Sequence, residues 1–222
     1  MKIRGIITKI TFFARLVFLL LLINSCNNSD KSANSPNVDG KEGFIKIIPN
    51  SRNGLPSFAY KETRGYSRQA GLHLIENGFD SLFIRIWYLN DTIQVLDFKN
   101  EHGVWTGVLH KLMTEQNNDS IRIIKTTSEK ISPKSGWPYF IDNLFSQGII
   151  TLPDISELPV YGIPTHGFFL DVEVATRTKY RIYTYGIPEQ SIDIMEVSNI
   201  MDIMKLIENE FGILSLHKYY FQ

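Results

Sequence analysis

The chain has 222 residues, with 23 basic and 23 acidic side chains, a length that suits one domain or at most two small ones. Its 43% apolar and 12% aromatic content can build an ample core, which excludes a wholly disordered or fibrous chain. A single cysteine rules out an internal disulfide and a thiolate metal cage, and there is no basic stripe of the kind that phosphate binding requires, so no nucleic acid partner is expected.

The first 25 residues carry Lys2, Lys9, Arg4 and Arg15 and no acid, so everything after them has four more acids than bases. Leu16 to Ile23 is an unbroken apolar run, far shorter than the roughly 20 residues of a spanning helix. It matches the apolar stretch of a secretory signal behind a positive start. Arg15 opposes an uncleaved anchor, because a charge in mid-membrane costs about 2.5–3.5 kcal/mol. Ile23, Ser25 and Cys26 resemble a bacterial lipobox, with an aliphatic residue at −3 and a small one at −1; Asn24 departs from the usual residue at −2. The resemblance implies a signal peptide over 1–25, lipid on Cys26 and attachment to a membrane. By resemblance to lipoprotein sorting, the lack of Asp after Cys26 favours the outer membrane over the inner. Residues 26–43 are then the lipidated Cys and a polar tether, since this segment has too few apolar groups to offset its ordering entropy. Its 17 residues after the cysteine span about 20–25 Å.

A single α+β domain is expected over 44–222. Phe44–Ile48 alternates as a short strand, and 49–65, rich in Pro, Gly, Ser and Arg, reads as loop. Arg68–Glu76 is a helix candidate ending at Asn77-Gly78. Phe83–Leu89 and Thr92–Phe98 are β-branched and aromatic, joined through Asn90-Asp91. A tight turn there pairs Leu89 with Thr92, Ile86 with Val95 and Tyr88 with Ile93. Val104–Leu112 and Ser120–Thr127 continue the meander. Ser135 and Pro138 start a helix whose stripe is Trp137, Phe140, Ile141, Leu144 and Phe145, ending at Gly148. The segment 151–167 holds Pro153, Pro159, Pro164, Gly162 and Gly167 and reads as loop. A second hairpin, Phe168–Ala175 with Lys179–Tyr185, pairs Glu173 with Arg181 and Val172 with Ile182 across a three-residue turn. A last helix near Val197–Phe211 carries Val197, Ile200, Met201, Met204, Ile207 and Phe211 on one stripe and stops at Gly212.

The order β-β-β-β-α-β-β-α predicts an α+β fold: an antiparallel β-meander sheet with two amphipathic helices packed on one face. The stretches Gly78–Trp87, Pro133–Trp137, Leu152–Asp154, Val172–Val174 and Tyr180–Tyr185 resemble a family of Bacteroidota lipoproteins with no assigned activity. The likeness spans most of 65–212 and implies no catalytic residue.

His73, His102, His110, His166 and His217 show no local ligand pair, so no metal or other cofactor is expected. No Gly-x-Ser-x-Gly turn, Ser-x-x-Lys helix or phosphate-cradling glycine loop is present. Asp171 and Glu173 share a strand face, with a Glu173–Arg181 ion pair as the plain explanation and a catalytic pair as the sharper one. The expected hairpin register puts Tyr183 and Tyr185 beside Arg181 on an outer face. With Arg85 and Trp87 they form the candidate binding surface, because Tyr, Trp and Arg mark interfaces. The leading expectation is a non-enzymatic, membrane-anchored binding or interaction module with an envelope protein or glycan partner. That reading predicts a shallow aromatic and basic patch without a buried polar pocket. The alternatives are an envelope hydrolase using Asp171, Glu173 and His166, and an immunity or inhibitor lipoprotein.

Overall fold

A computed structural model describes residues 43–50, 54, 56–89, 92–117, 120–159, 169–186 and 193–213. The expected signal peptide, Cys26, nearly all of the tether, the Asn90-Asp91 turn, His166 and His217 lie outside the described residues.

The fold is α+β. Seven strands form one sheet: β1 (Ile45–Ile47), β2 (Leu82–Leu89), β3 (Ile93–Glu101), β4 (Val104–Asn117), β5 (Ser120–Ile131), β6 (Phe169–Thr176) and β7 (Lys179–Gly186). Their spatial order is β1-β7-β6-β2-β3-β4-β5. The β2–β5 meander is present, but the second hairpin joins it through β6 on the free side of β2. Because β1 runs parallel to β7, the sheet is mixed rather than purely antiparallel.

Three helices pack on it, where two were expected. The additional helix, α1 (Phe58–Ala70), falls across the stretch read as loop. Ser57 caps it by accepting the Tyr60 N–H, and it closes at Gly71, before the expected stop. Its buried side chains are Thr63, Tyr66 and Ser67, so it shows no apolar stripe. A short 3-10 turn (Ile75–Asn77) occupies the end of the expected helix. The other two, α2 (Trp137–Ser146) and α3 (Met195–Phe211), sit where the stripes predicted. Gly212, at a φ of 64°, ends α3 in the left-handed conformation that glycine adopts at little cost.

The helices cover both faces of the sheet. Ile84, Ile86, Leu96, Phe98, Val172, Val174, Tyr183 and Tyr185 pack under α2 and α3. Trp87, Val95, Leu112 and Tyr66 form a second cluster on the other face, beside α1. Phe83, Ala175, Tyr180 and Ile182 join Ile75 in a third. Both expected hairpin registers are off by one residue. Trp87, not Ile86, stands opposite Val95, and Glu173 stands opposite Ile182 rather than Arg181. In the second hairpin, Arg177 and Thr178 alone form the turn. A one-residue slip exchanges the two faces of the partner strand, and a sheet buried on both sides gives no alternation to fix it.

Candidate functional site

The register decides what becomes of the expected binding surface. Arg85 and Trp87 point toward the α1 side, whereas Arg181, Tyr183 and Tyr185 point to the α2–α3 side. They form no common surface: Arg85, Trp87, Tyr183 and Tyr185 are at most 1% exposed. Arg181 donates to the carbonyls of Ile150 and Leu152 and lies 4.9 Å from the Tyr183 ring centroid. The Tyr183 hydroxyl donates to the Ile149 carbonyl at 2.7 Å. These side chains fasten the chain leaving α2 to the sheet.

On the α1 side the sheet carries a row of buried ionisable groups. Arg85 forms a bidentate pair with Asp97, with N···O distances of 2.6 and 2.8 Å, and donates to the His73 carbonyl at 2.9 Å. Burial alone would raise the Asp97 carboxyl; the Arg85 hydrogen bonds and charge, helped by His110, hold it below its ordinary range. His110 Nε2 lies 3.3 Å from Asp97, and its Nδ1 lies 2.7 Å from the Ser128 hydroxyl. This acid–imidazole–hydroxyl order is that of a nucleophilic serine. Here, however, Arg85 already neutralises the acid, and the serine stands in mid-strand on β5. The register sets His110 directly opposite Ser128, an adjacency that eighteen residues of separation conceal in the sequence.

Glu173 is equally committed. It accepts from Trp87 Nε1 at 2.7 Å and from the Tyr180 hydroxyl at 2.8 Å, and it makes no ion pair with Arg181. Burial raises its pKa, while Arg85 and these two donors act against the rise.

Asp171, two residues earlier on the same face, is arranged differently. It is 1% exposed, and its oxygens meet no close, well-directed donor; the Thr184 hydroxyl is the one hydrogen-bonding group that acts on them. Burial pushes its pKa from 3.8 up to about 7; Thr184, across the ladder, opposes the rise, and the charges of Glu62, Glu173 and Asp154 add to it. This carboxyl lines a cleft of about 400 Å³ between the start of α1, the 3-10 turn Ile155–Glu157 and the ends of β2, β6 and β7. Phe58, Ala59, Leu89, Ile155 and Phe169 supply apolar walls. Glu62 and Asp154 also line the cleft, and among the described residues no lysine or arginine does. Asp154 is held in place as the cap of its 3-10 turn: it accepts from the Ser156 N–H and, through its other oxygen, from the Thr184 N–H at 2.8 Å. Glu62 accepts from Tyr66, and burial raises its pKa as well.

A second, larger cleft of about 600 Å³ lies among His73, Asp80, Ser81, Glu101, His102 and Arg177, toward the start of β2. These side chains come from turns and strand ends, and no buried unpaired group points into it. Among the described residues, no three His, Cys, Asp or Glu side chains come close enough together to hold a metal ion.

The expectation of a surface patch without a polar pocket is therefore corrected. Of the residues singled out from sequence, Asp171 is at the site, Glu173 is tied up beside it, and Glu62 and Asp154 were missed. Asp154 carried a readable signal, since Asp154 and Glu157 form a capping box around Ser156. Glu62 carried none, lying in a helix that the sequence pattern did not disclose.

The fold and site together define an α+β domain with a mixed seven-stranded sheet and an acidic, apolar-walled cleft. No protein family, curated protein or solved structure matches the chain.

Proposed function

We propose that this protein is an envelope lipoprotein, held to a membrane by lipid on Cys26, whose domain is a non-enzymatic binding module with its ligand site in the Asp171 cleft. The basic leader, the short apolar run and the Ser25-Cys26 pair support the anchor. Among the described residues no helix is long and apolar enough to cross a membrane. The cleft replaces the shallow patch that this reading first predicted, and the observation that carries a ligand site there is the buried Asp171 carboxyl beside apolar walls. Binding sites combine apolar walls with a few fixed polar groups, and a strongly shifted buried group in a cleft marks such a place.

The anchor is tested by Cys26→Ser, which is expected to move the protein out of the membrane fraction and abolish labelling by a fatty-acid analogue. Unchanged fractionation overturns it. The site is tested by ligand-observed NMR of the full chain with a fragment library of amines, alcohols and acids. Fragments are expected to bind the wild-type protein and to be lost in Ala59→Trp, where a bulky ring fills the cleft. Binding that survives this variant places the ligand elsewhere.

The raised carboxyl also favours a second reading, an envelope hydrolase in which Asp171 acts as a general acid or base near neutral pH. Glu173, spent on Trp87 and Tyr180, is then not its partner; Glu62 or Asp154 takes that part. Turnover of a bound fragment ester or glycoside, lost in Asp171→Asn, separates this reading from binding alone.

A further inference from the structure

We infer that the Asp171 cleft takes an organic cation: a primary amine carried on an apolar body, seated with its N–H groups on the Asp171 carboxylate. This rests on the cleft being the ligand site and adds the chemical class of the ligand.

The argument begins with what the cleft lacks. Three carboxylates line it, from Asp171, Glu62 and Asp154, and among the described residues no basic side chain lines it to balance them. An anionic ligand would meet like charge with nothing to neutralise it. A neutral ligand would leave the Asp171 charge buried and uncompensated, the costly arrangement in a site of low polarity. A bare metal ion demands a converging shell of ligands, and among the described residues no three His, Cys, Asp or Glu side chains come together to supply one. An ammonium on an apolar body satisfies both halves of the site. Its N–H groups make charge-assisted hydrogen bonds to the carboxylate once the Asp171 side chain, whose oxygens are covered in the empty protein, turns toward the cleft, and its body displaces water from the walls.

The neighbours of Asp171 are already engaged. Asp154 is committed to Ser156 and Thr184, and Glu62 accepts from Tyr66. Asp171, buried as well, has only the Thr184 hydroxyl acting on it and no close donor on either oxygen. Glu62 and Asp154 therefore act from the walls through their charge, while Asp171 supplies the hydrogen-bond acceptors. A ligand without N–H donors, such as a quaternary ammonium, would leave those oxygens unmet.

The same geometry makes capture depend on pH. The groups bearing on Asp171 are Glu62 and Tyr66 from α1, Asp154 from the 3-10 turn, Glu173 from its own strand and Thr184 from β7. Burial and the three acids favour the protonated form, and Thr184 alone favours the charged one. With half-titration at about 7, only the ionised fraction holds the ammonium, so affinity is full above that pH and falls below it.

The test uses three probes with one indole body: tryptamine, tryptophol and indole-3-propionate, titrated calorimetrically into the full chain. At pH 8 tryptamine is expected to bind at least about tenfold tighter than tryptophol, in line with a charge-assisted hydrogen bond. Indole-3-propionate is expected to bind weakest. Lowering the pH from 8 to 6 is expected to weaken tryptamine about tenfold and leave tryptophol unchanged, as linkage to one carboxyl titrating near 7 requires. Asp171→Asn should bring the amine and the alcohol together, and Asp171→Glu should restore part of the preference. If tryptophol or indole-3-propionate binds as tightly as tryptamine while Ala59→Trp still abolishes binding, the cleft stands as a site and its assignment to cations fails. If all three probes bind Ala59→Trp as they bind the wild-type protein, or none binds the wild-type protein, the cleft itself fails as the site.

Discussion

A buried carboxyl without a close donor should destabilise the folded chain, and Asp171 allows that cost to be measured. Its pKa of 3.8 in the unfolded chain rises to about 7 on folding. At about 1.4 kcal/mol per pKa unit, the full shift corresponds to about 4 kcal/mol. The sign follows from which form burial favours. Below the unfolded value both states are protonated and nothing is lost. As the pH climbs past 3.8 the unfolded chain releases its proton first, and stability falls until the folded carboxyl ionises as well near 7. Between pH 4.5 and pH 8 the wild-type protein is expected to lose about 3 kcal/mol through this one residue. Asp171→Asn keeps the shape and removes the titration. Its melting temperature relative to the wild type should therefore rise by about 6–12 °C between those two pH values, at about 2–4 °C per kcal/mol for a domain of this size. Circular dichroism melts of both proteins at pH 4.5 and pH 8 provide the assay. Melting curves that keep a constant separation at both pH values would refute the argument, because the carboxyl would then be ionised in the fold at no cost.

Other perturbations test the surrounding architecture. Asp97→Asn leaves the Arg85 guanidinium buried without its counter-charge and is expected to cost about 3–5 kcal/mol in urea unfolding. The double change Arg85→Met with Asp97→Leu should be more stable than that single variant, because it removes both charges. On the opposite face, Gly107→Ala would bring a Cβ to 2.8 Å from the Trp137 ring, against the Ile131 side chain and carbonyl. A cost of about 1–3 kcal/mol is expected, read from the midpoint of the same urea titration.

How much the sequence disclosed depended on how each element is buried. The helices α2 and α3 were legible because each has one apolar stripe facing one face of the sheet. The α1 helix was not: Thr63 and Ser67 sit at its contact with the sheet, and the Thr63 hydroxyl donates a hydrogen bond to the Ala59 carbonyl. A helix whose inner face meets buried ions carries polar residues on that face, and hydropathy cannot pick it out. The strands were legible from their β-branched and aromatic runs, but their partners' registers were not. Trp87 and Ile86 are both fully buried on opposite sides, so sliding β3 by one residue leaves an apolar residue inward either way. That slip alone turned buried struts such as Arg85 and Tyr183 into an apparent surface. Asp171 could be singled out because an acid stands out in an apolar strand. That it lacks a close donor while Glu173 is satisfied depends on Trp87 and Tyr180, which the correct register places beside Glu173.

The contrast among Asp97, Glu173 and Asp171, three of the buried acids, supports the ligand site more firmly than the cleft's shape does. Asp97 has Arg85 and His110, and Glu173 has Trp87 and Tyr180, so the fold supplies each with donors at distances from 2.6 to 3.3 Å. These two acids are cross-linking groups: each ties its strand to a neighbour, and removing either leaves donors stranded. Asp171 ties nothing, and it raises the energy of the fold at every pH above the unfolded aspartate value. An apolar side chain of similar size in its place would pack against Leu89 and Phe169 without that cost. A group that only destabilises the empty protein is compensated when something else brings the donors. The cleft, which Asp171 lines and Asp97 and Glu173 do not, is the route by which those donors would enter.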